Sequence, residues 1–191
     1  MVWIACGRRE YGLRIGEGMA RSPRDGDPEM RTLTLSSLWT MILAGAVATV
    51  AFDFFGQSLS PMLGFASLAP VPLANSVIKV LTGAPHEPSA QLLHYLAGMI
   101  AYPFGWMFIA EPLARRITPN LPWLAVAVLY GVALWIFALF VMAHLIAGLP
   151  AFLGFTGITW IALAGHVLFA VVAAMVVRWR EGAADHAPAM A

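Results

Sequence analysis

Little in this chain suits contact with water. Only 11% of its 191 residues are charged, whereas 60% are hydrophobic, and a soluble globular domain carries about 25% charged residues. So few charges cannot cover a water-facing surface, so most of the surface must face another medium. Cysteine is nearly absent. Cys6 is the single one, which excludes an intrachain disulfide and any cysteine-cluster metal site. Basic excess is absent too, since the formal net charge is +1, and no basic patch or stacking array points to nucleic acid. No P-loop, dinucleotide-binding glycine motif, nucleophile elbow or acidic metal motif occurs. Ser, Thr and Tyr are too scattered to nominate a covalent nucleophile, so nothing marks an enzyme.

What is present is long apolar runs. They fall at about 38–59, 92–111, 121–149 and 158–178, each near or above the roughly 20 residues that cross about 30 Å of hydrocarbon. The third is the longest and is expected to tilt or to project from the bilayer. Ser37 is a candidate cap for the first. The predicted fold is therefore all-α: a polytopic membrane protein with an antiparallel four-helix transmembrane bundle, its domain spanning 36–180.

The flanks read differently. Residues 1–35 mix six arginines with five acidic residues and many glycines, without a sustained apolar period, and are expected to be a disordered arm. No apolar run closely follows the first basic residues, so the arm is not a signal peptide. Met19 and Met30 each fit a translational start, and no function is placed on Cys6. Residues 181–191 read as a flexible tail.

Ten of the eleven Lys and Arg residues lie in the arm, in the 112–120 link or after the fourth run. Only Lys79, in the 60–90 link, lies on the other side. The positive-inside rule then puts both termini in the cytoplasm and the 60–90 link outside. Trp39, Trp123 and Trp179 fall at the cytoplasmic interface and Trp160 at the other. Within the 60–90 link, residues 73–81 read as a short helix on the outer membrane face or against the bundle. The uncharged turn around Pro150 makes the third and fourth helices neighbours.

Polar residues at membrane depth carry the functional interest, because an unpaired charge there is costly. At 1.5 Å per residue, Asp53, His94 and His144 are expected at a similar depth near the outer ends of their helices. His166 falls nearer the midplane. One reading is a haem or transition-metal site, with His94, His144 and His166 as ligands and Asp53 as ligand or orienting group. A second is a proton or substrate path. A third is plain interhelical hydrogen bonding, which contributes only about 0.6 kcal/mol per bond on average. Glu111 and Arg115 are spaced for an ion pair at the cytoplasmic interface, although Pro112 stands between them. Pro103 is expected to kink the second helix. Gly45 with Thr49, Gly131 with Ala127, and Gly154, Gly157 and Gly165 suit close helix contacts, within the bundle or with a partner.

Taken together, Gly45-Ala46-Val47-Ala48-Thr49, His94 with Gly98, Gly131 with Trp135, and His166 resemble a group of uncharacterised small bacterial inner-membrane proteins, the YagU-like ones. The likeness covers about residues 41–177. It implies a four-helix inner-membrane protein without an established activity, and it adds interest to His94 and His166. The expected role is an accessory or structural subunit of a membrane complex, with the lipid bilayer, other membrane subunits or further copies of itself as partners. The alternatives are a haem- or metal-binding redox protein and a small proton-coupled transporter or channel.

Overall fold

The computed structural model describes residues 33–185, so the arm with Cys6 and the end of the tail lie outside the described residues. The protein is a multi-pass membrane protein whose described residues form helices and their links. Four helices are long and apolar enough to cross a membrane. We label them α1 (Leu35–Met62), α3 (Glu87–Ile117), α4 (Trp123–Ile146) and α5 (Gly157–Asp185), with a shorter α2 (Pro70–Thr82) between the first two.

Local chemistry accounts for the boundaries. Thr34 rather than Ser37 caps α1; Ser37 sits at the third helical position and completes the reciprocal capping box. Pro70 and Pro72 open α2, where a missing N–H costs nothing, and Gly83 closes it in the left-handed conformation at φ 85°. His86 caps α3, its Nδ1 accepting from the Ser89 N–H, while its own N–H donates to the Asn75 side chain on α2. Helix α3 thus starts five residues before the apolar run at 92. It then continues through Pro103 and Pro112 to Ile117. Helix α4 stops at Ile146, short of 149, where Gly148 turns the chain at φ 71°.

Small residues pack much of the interior beside a few large ones such as Trp106, Met107, Leu139 and Phe169, and many large residues face outward. Ala44, Ala48, Ala90, Ala127, Ala170, Ala173 and Ala174 are buried, whereas Val50, Ile109, Leu129 and Met175 on the same four helices are more than half exposed. This inversion suits a bundle in lipid, where close van der Waals packing rather than burial of oily side chains holds helices together. Helix α5 packs mainly on α4 and α1, and α1 also meets the middle of α3. A Cβ on Gly131 would lie 2.6 Å from the Val167 Cα, and one on Gly45 would lie 2.6 Å from the Met99 Cα. Backbone therefore touches backbone at both contacts.

Three of the spanning helices contain widened, π-helical turns: Phe55–Leu59 in α1, Ala97–Ala101 and Trp106–Ala110 in α3, and Phe137–Ile146 in α4. Such turns insert a residue into the normal repeat and often mark functional positions. The two in α3 flank the segment that carries Pro103.

A candidate ligand cavity among Asp53, His94 and His166

Helices α1, α3, α4 and α5 line a half-open cavity of about 160 Å³ at the end of the bundle where α2 lies. Its wall is mostly carbon, from side chains such as Phe52, Leu73, Val77, Leu139, Met142 and Phe169. Two of the widened turns contribute to it: Ala97 and Gly98 from α3, and Phe137, Ala138, Leu139 and Met142 from α4. Helix α2 supplies one side through Leu73, Ala74 and Val77. The linker before it is tucked against α1 by Leu68 N–H donating to the Gly56 carbonyl, at 2.8 Å.

Another side comes from the α4–α5 link. Residues Ala151–Phe155 form one tight turn in which Phe152, Leu153 and Phe155 have φ of 49°, 54° and 54°. Left-handed backbone costs a non-glycine residue about 1–2 kcal/mol, so the turn needs support. The Thr159 hydroxyl donates to the Phe152 carbonyl at 2.6 Å, and the Trp135 indole N–H donates to the Thr159 carbonyl at 3.0 Å. The Phe152 ring also lies 4.7 Å from Trp135 and 5.6 Å from Phe140. These contacts hold Leu153 against the cavity.

Four polar groups stand on the otherwise apolar lining: Thr49, His94, Tyr102 and His166. The His94 Nε2 lies 3.1 and 3.2 Å from the two Asp53 carboxylate oxygens, and Asp53 also accepts from the Gln57 amide at 2.8 Å. A carboxylate accepts only, so the His94 Nε2 carries the proton in this bond. The His166 Nδ1 lies 2.7 Å from the Ala162 carbonyl, which likewise requires an N–H there. In the neutral ring the His166 Nε2 then presents a lone pair, and no described residue bonds it. The Thr49 hydroxyl is buried without a hydrogen-bond partner among the described residues. Phe52 separates the two imidazoles, its ring 6.5 Å from His94 and 5.2 Å from His166.

The structure thus gathers Asp53, His94 and His166 around Phe52, although two of these residues are separated by 41 positions and the third lies on another helix. His144 stays outside the group. Its Nδ1 bonds the Leu149 carbonyl at 2.8 Å and so ties the end of α4 to the link. Among the described residues, no three His, Cys, Asp or Glu side chains are placed to hold a metal ion together. At the opposite end, the Arg115 guanidinium donates to Glu111 at 2.7 Å, within a helix that Pro112 does not interrupt.

Several contributors carried little signal. Gln57 stands four residues from Asp53, a helical spacing that could have nominated it. Thr49 was visible only as a small packing residue, and Thr159 not at all. No protein-family model, curated protein or solved structure matches the chain.

Proposed function

We propose that this chain is a bacterial inner-membrane protein with antiparallel helices and both ends in the cytoplasm. In this reading it serves as an accessory or structural subunit and holds a small, mainly apolar molecule inside its bundle. The cavity carries the proposal. Ligand sites are typically concave, apolar and fitted with a few polar groups that orient the occupant, and this one has that composition. Its roughly 160 Å³ is close to the about 150 Å³ apolar cavity that accepts benzene. The size therefore suits a single-ring molecule with one hydrogen-bonding group. The occupant could donate to the His166 Nε2 or accept from Thr49. The four-ring macrocycle of haem is far larger than this space, so the cavity does not fit haem. The likeness to the YagU-like group agrees with the architecture and adds no activity.

A second reading, a small proton-coupled transporter, draws on the Asp53–His94 pair. Ionisable side chains placed inside a membrane helix bundle are the groups from which proton relays are built. Here the imidazole faces the cavity directly, so occupancy and proton exchange would share one side chain.

The test is ligand-dependent stability in lipid nanodiscs, with indole and toluene as probes. A molecule that binds only the folded state stabilises it by about 2.7 kcal/mol at a hundred times its dissociation constant. The wild type should melt later with a single-ring probe. Ala138→Leu, which fills the cavity wall, should lose that shift while retaining its helical circular dichroism. Equal shifts in both proteins would mean that the probes act on the lipid, and the proposed site would be refuted.

A further inference from the structure

His166 is only 6% exposed, and its two ring nitrogens have different surroundings. The Nδ1 donates to the Ala162 carbonyl, one turn back on α5, at 2.7 Å. A carbonyl accepts only, so this bond fixes the tautomer and leaves the Nε2 of the neutral ring as an acceptor. That nitrogen is neither bonded nor sealed. The buried side-chain polar atoms without a partner among the described residues belong to Thr49, Trp106 and Arg180. The His166 Nε2 is not one of them, and the surface that His166 lines is the central cavity. The Thr49 hydroxyl, by contrast, lies beneath the cavity wall, so an occupant meets the imidazole lone pair first.

The wall beside this nitrogen is aromatic. The Phe52 ring meets the His166 ring edge-on, at 5.2 Å and 73°. Tyr102 lies 6.4 Å from His166 and meets Phe169 edge-on, at 5.6 Å and 85°. All three rings line the cavity. Gly165 makes room for the arrangement, since a Cβ there would stand 2.9 Å from the Phe52 Cε2. Aromatic walls favour a further ring packed edge-to-face or offset against them.

We infer, on the reading of this cavity as a ligand site, that it selects a phenol-type occupant: an aromatic ring whose hydroxyl donates to the His166 Nε2. The hydroxyl supplies the proton that the fixed tautomer lacks, and the ring packs against Phe52, Tyr102 and Phe169. An ether of the same size sets a lone pair against a lone pair. A hydrocarbon fills the space and leaves the Nε2 unmatched. A site that bonds a hydroxyl rejects analogues lacking it far better than one that only measures size, which makes His166 the specificity-determining residue.

The test compares p-cresol with p-xylene, which carries a methyl group in place of the hydroxyl, on the full-length protein in nanodiscs. Dissociation constants from thermal shifts, referred to the probe concentration in the lipid, should favour p-cresol about tenfold, the value of one hydrogen bond. The methyl ether, p-methylanisole, should bind no better than p-xylene. His166→Asn keeps an amide N–H for the Ala162 carbonyl and removes the Nε2 acceptor, so the preference should vanish while p-xylene still binds. Nitrogen NMR of isotope-labelled histidines in the wild type gives a second reading that needs no variant. One unprotonated Nε2 should shift with p-cresol and stay in place with p-xylene. Equal affinities for the two probes would overturn the inference and leave the ligand site standing, whereas binding of neither would overturn both. A preference that survives in His166→Asn, or a histidine spectrum unmoved by saturating p-cresol, would assign the hydroxyl to another group and also overturn the inference.

Discussion

A close backbone approach between two spanning helices gives the bundle's sharpest stability prediction. Gly131 on α4 faces α5 so closely that an added Cβ would stand 2.6 Å from the Val167 Cα and 2.8 Å from the His166 carbonyl oxygen. Ordinary contact begins at 3.4 Å, so Gly131→Ala falls short by about 0.8 Å against backbone that no rotamer change can move. Alanine is better than glycine in a helix by about 0.8–1.0 kcal/mol, and overpacking costs about 1–3 kcal/mol. With rigid backbone on both sides the cost sits at the upper end, for a net loss of about 2 kcal/mol. Gly182→Ala is the control, because its Cβ would meet nothing within 4 Å. Thermal unfolding in detergent, followed by helical circular dichroism, should show Gly131→Ala melting earlier than the wild type. The control should melt no earlier. A Gly131→Ala protein as stable as the wild type would mean that α4 and α5 are not in backbone contact, and the arrangement around His166 would fall with it.

Two further outcomes are expected. A double-mutant cycle on Asp53→Asn and His94→Gln should give a coupling of about 0.6–1.7 kcal/mol, between the average and the upper end for hydrogen bonds between membrane helices; additive effects would break the pair. Gently solubilised from native membranes, the protein should migrate with partner subunits or as a homo-oligomer on native gels, and migration as a lone monomer would remove the proposed subunit role.

The spanning helices were legible because apolar runs of this length have few other uses. The glycines marked close contacts only in part: Gly154 lies in the α4–α5 link with nothing within 4 Å of an added Cβ, and Gly157 meets only the Ala66 Cβ at 3.8 Å. Gly45 and Gly131 do meet backbone, at Met99 and Val167. The short helix at 73–81 was legible as well, although its full extent depended on reading Pro70 as a first-turn residue and Gly83 as a stop. The ends of α3 were harder. A proline looks like a breaker, yet Pro88 lies in the first turn, where no N–H is missed, and Pro112 is carried through beside a widened turn.

Counting residues gives depth in a membrane helix, but it does not give direction around the helix axis, and the site depends on direction. Asp53, His94 and His144 were assigned a similar depth, yet only the first two face each other, while His144 turns toward Leu149. The widened turns explain part of the difficulty. Each adds a residue to the repeat and rotates everything beyond it, and no residue type announces where this happens. One such turn carries Ala97 and Gly98 and another carries Ala138 and Leu139 onto the cavity wall. Gly98 shows how the contacts fit together: a Cβ there would lie on top of the Thr49 hydroxyl, so the missing side chain leaves room for a polar group that no described residue satisfies. The left-handed turn at Phe152–Phe155 was illegible for a different reason. Only Gly154 suits that conformation by its own preference, and the turn persists through Thr159 and Trp135, seven and seventeen residues from Phe152. Depth, length and smallness were therefore readable one residue at a time, whereas the cavity exists only through the phases of four helices and the strained link between two of them.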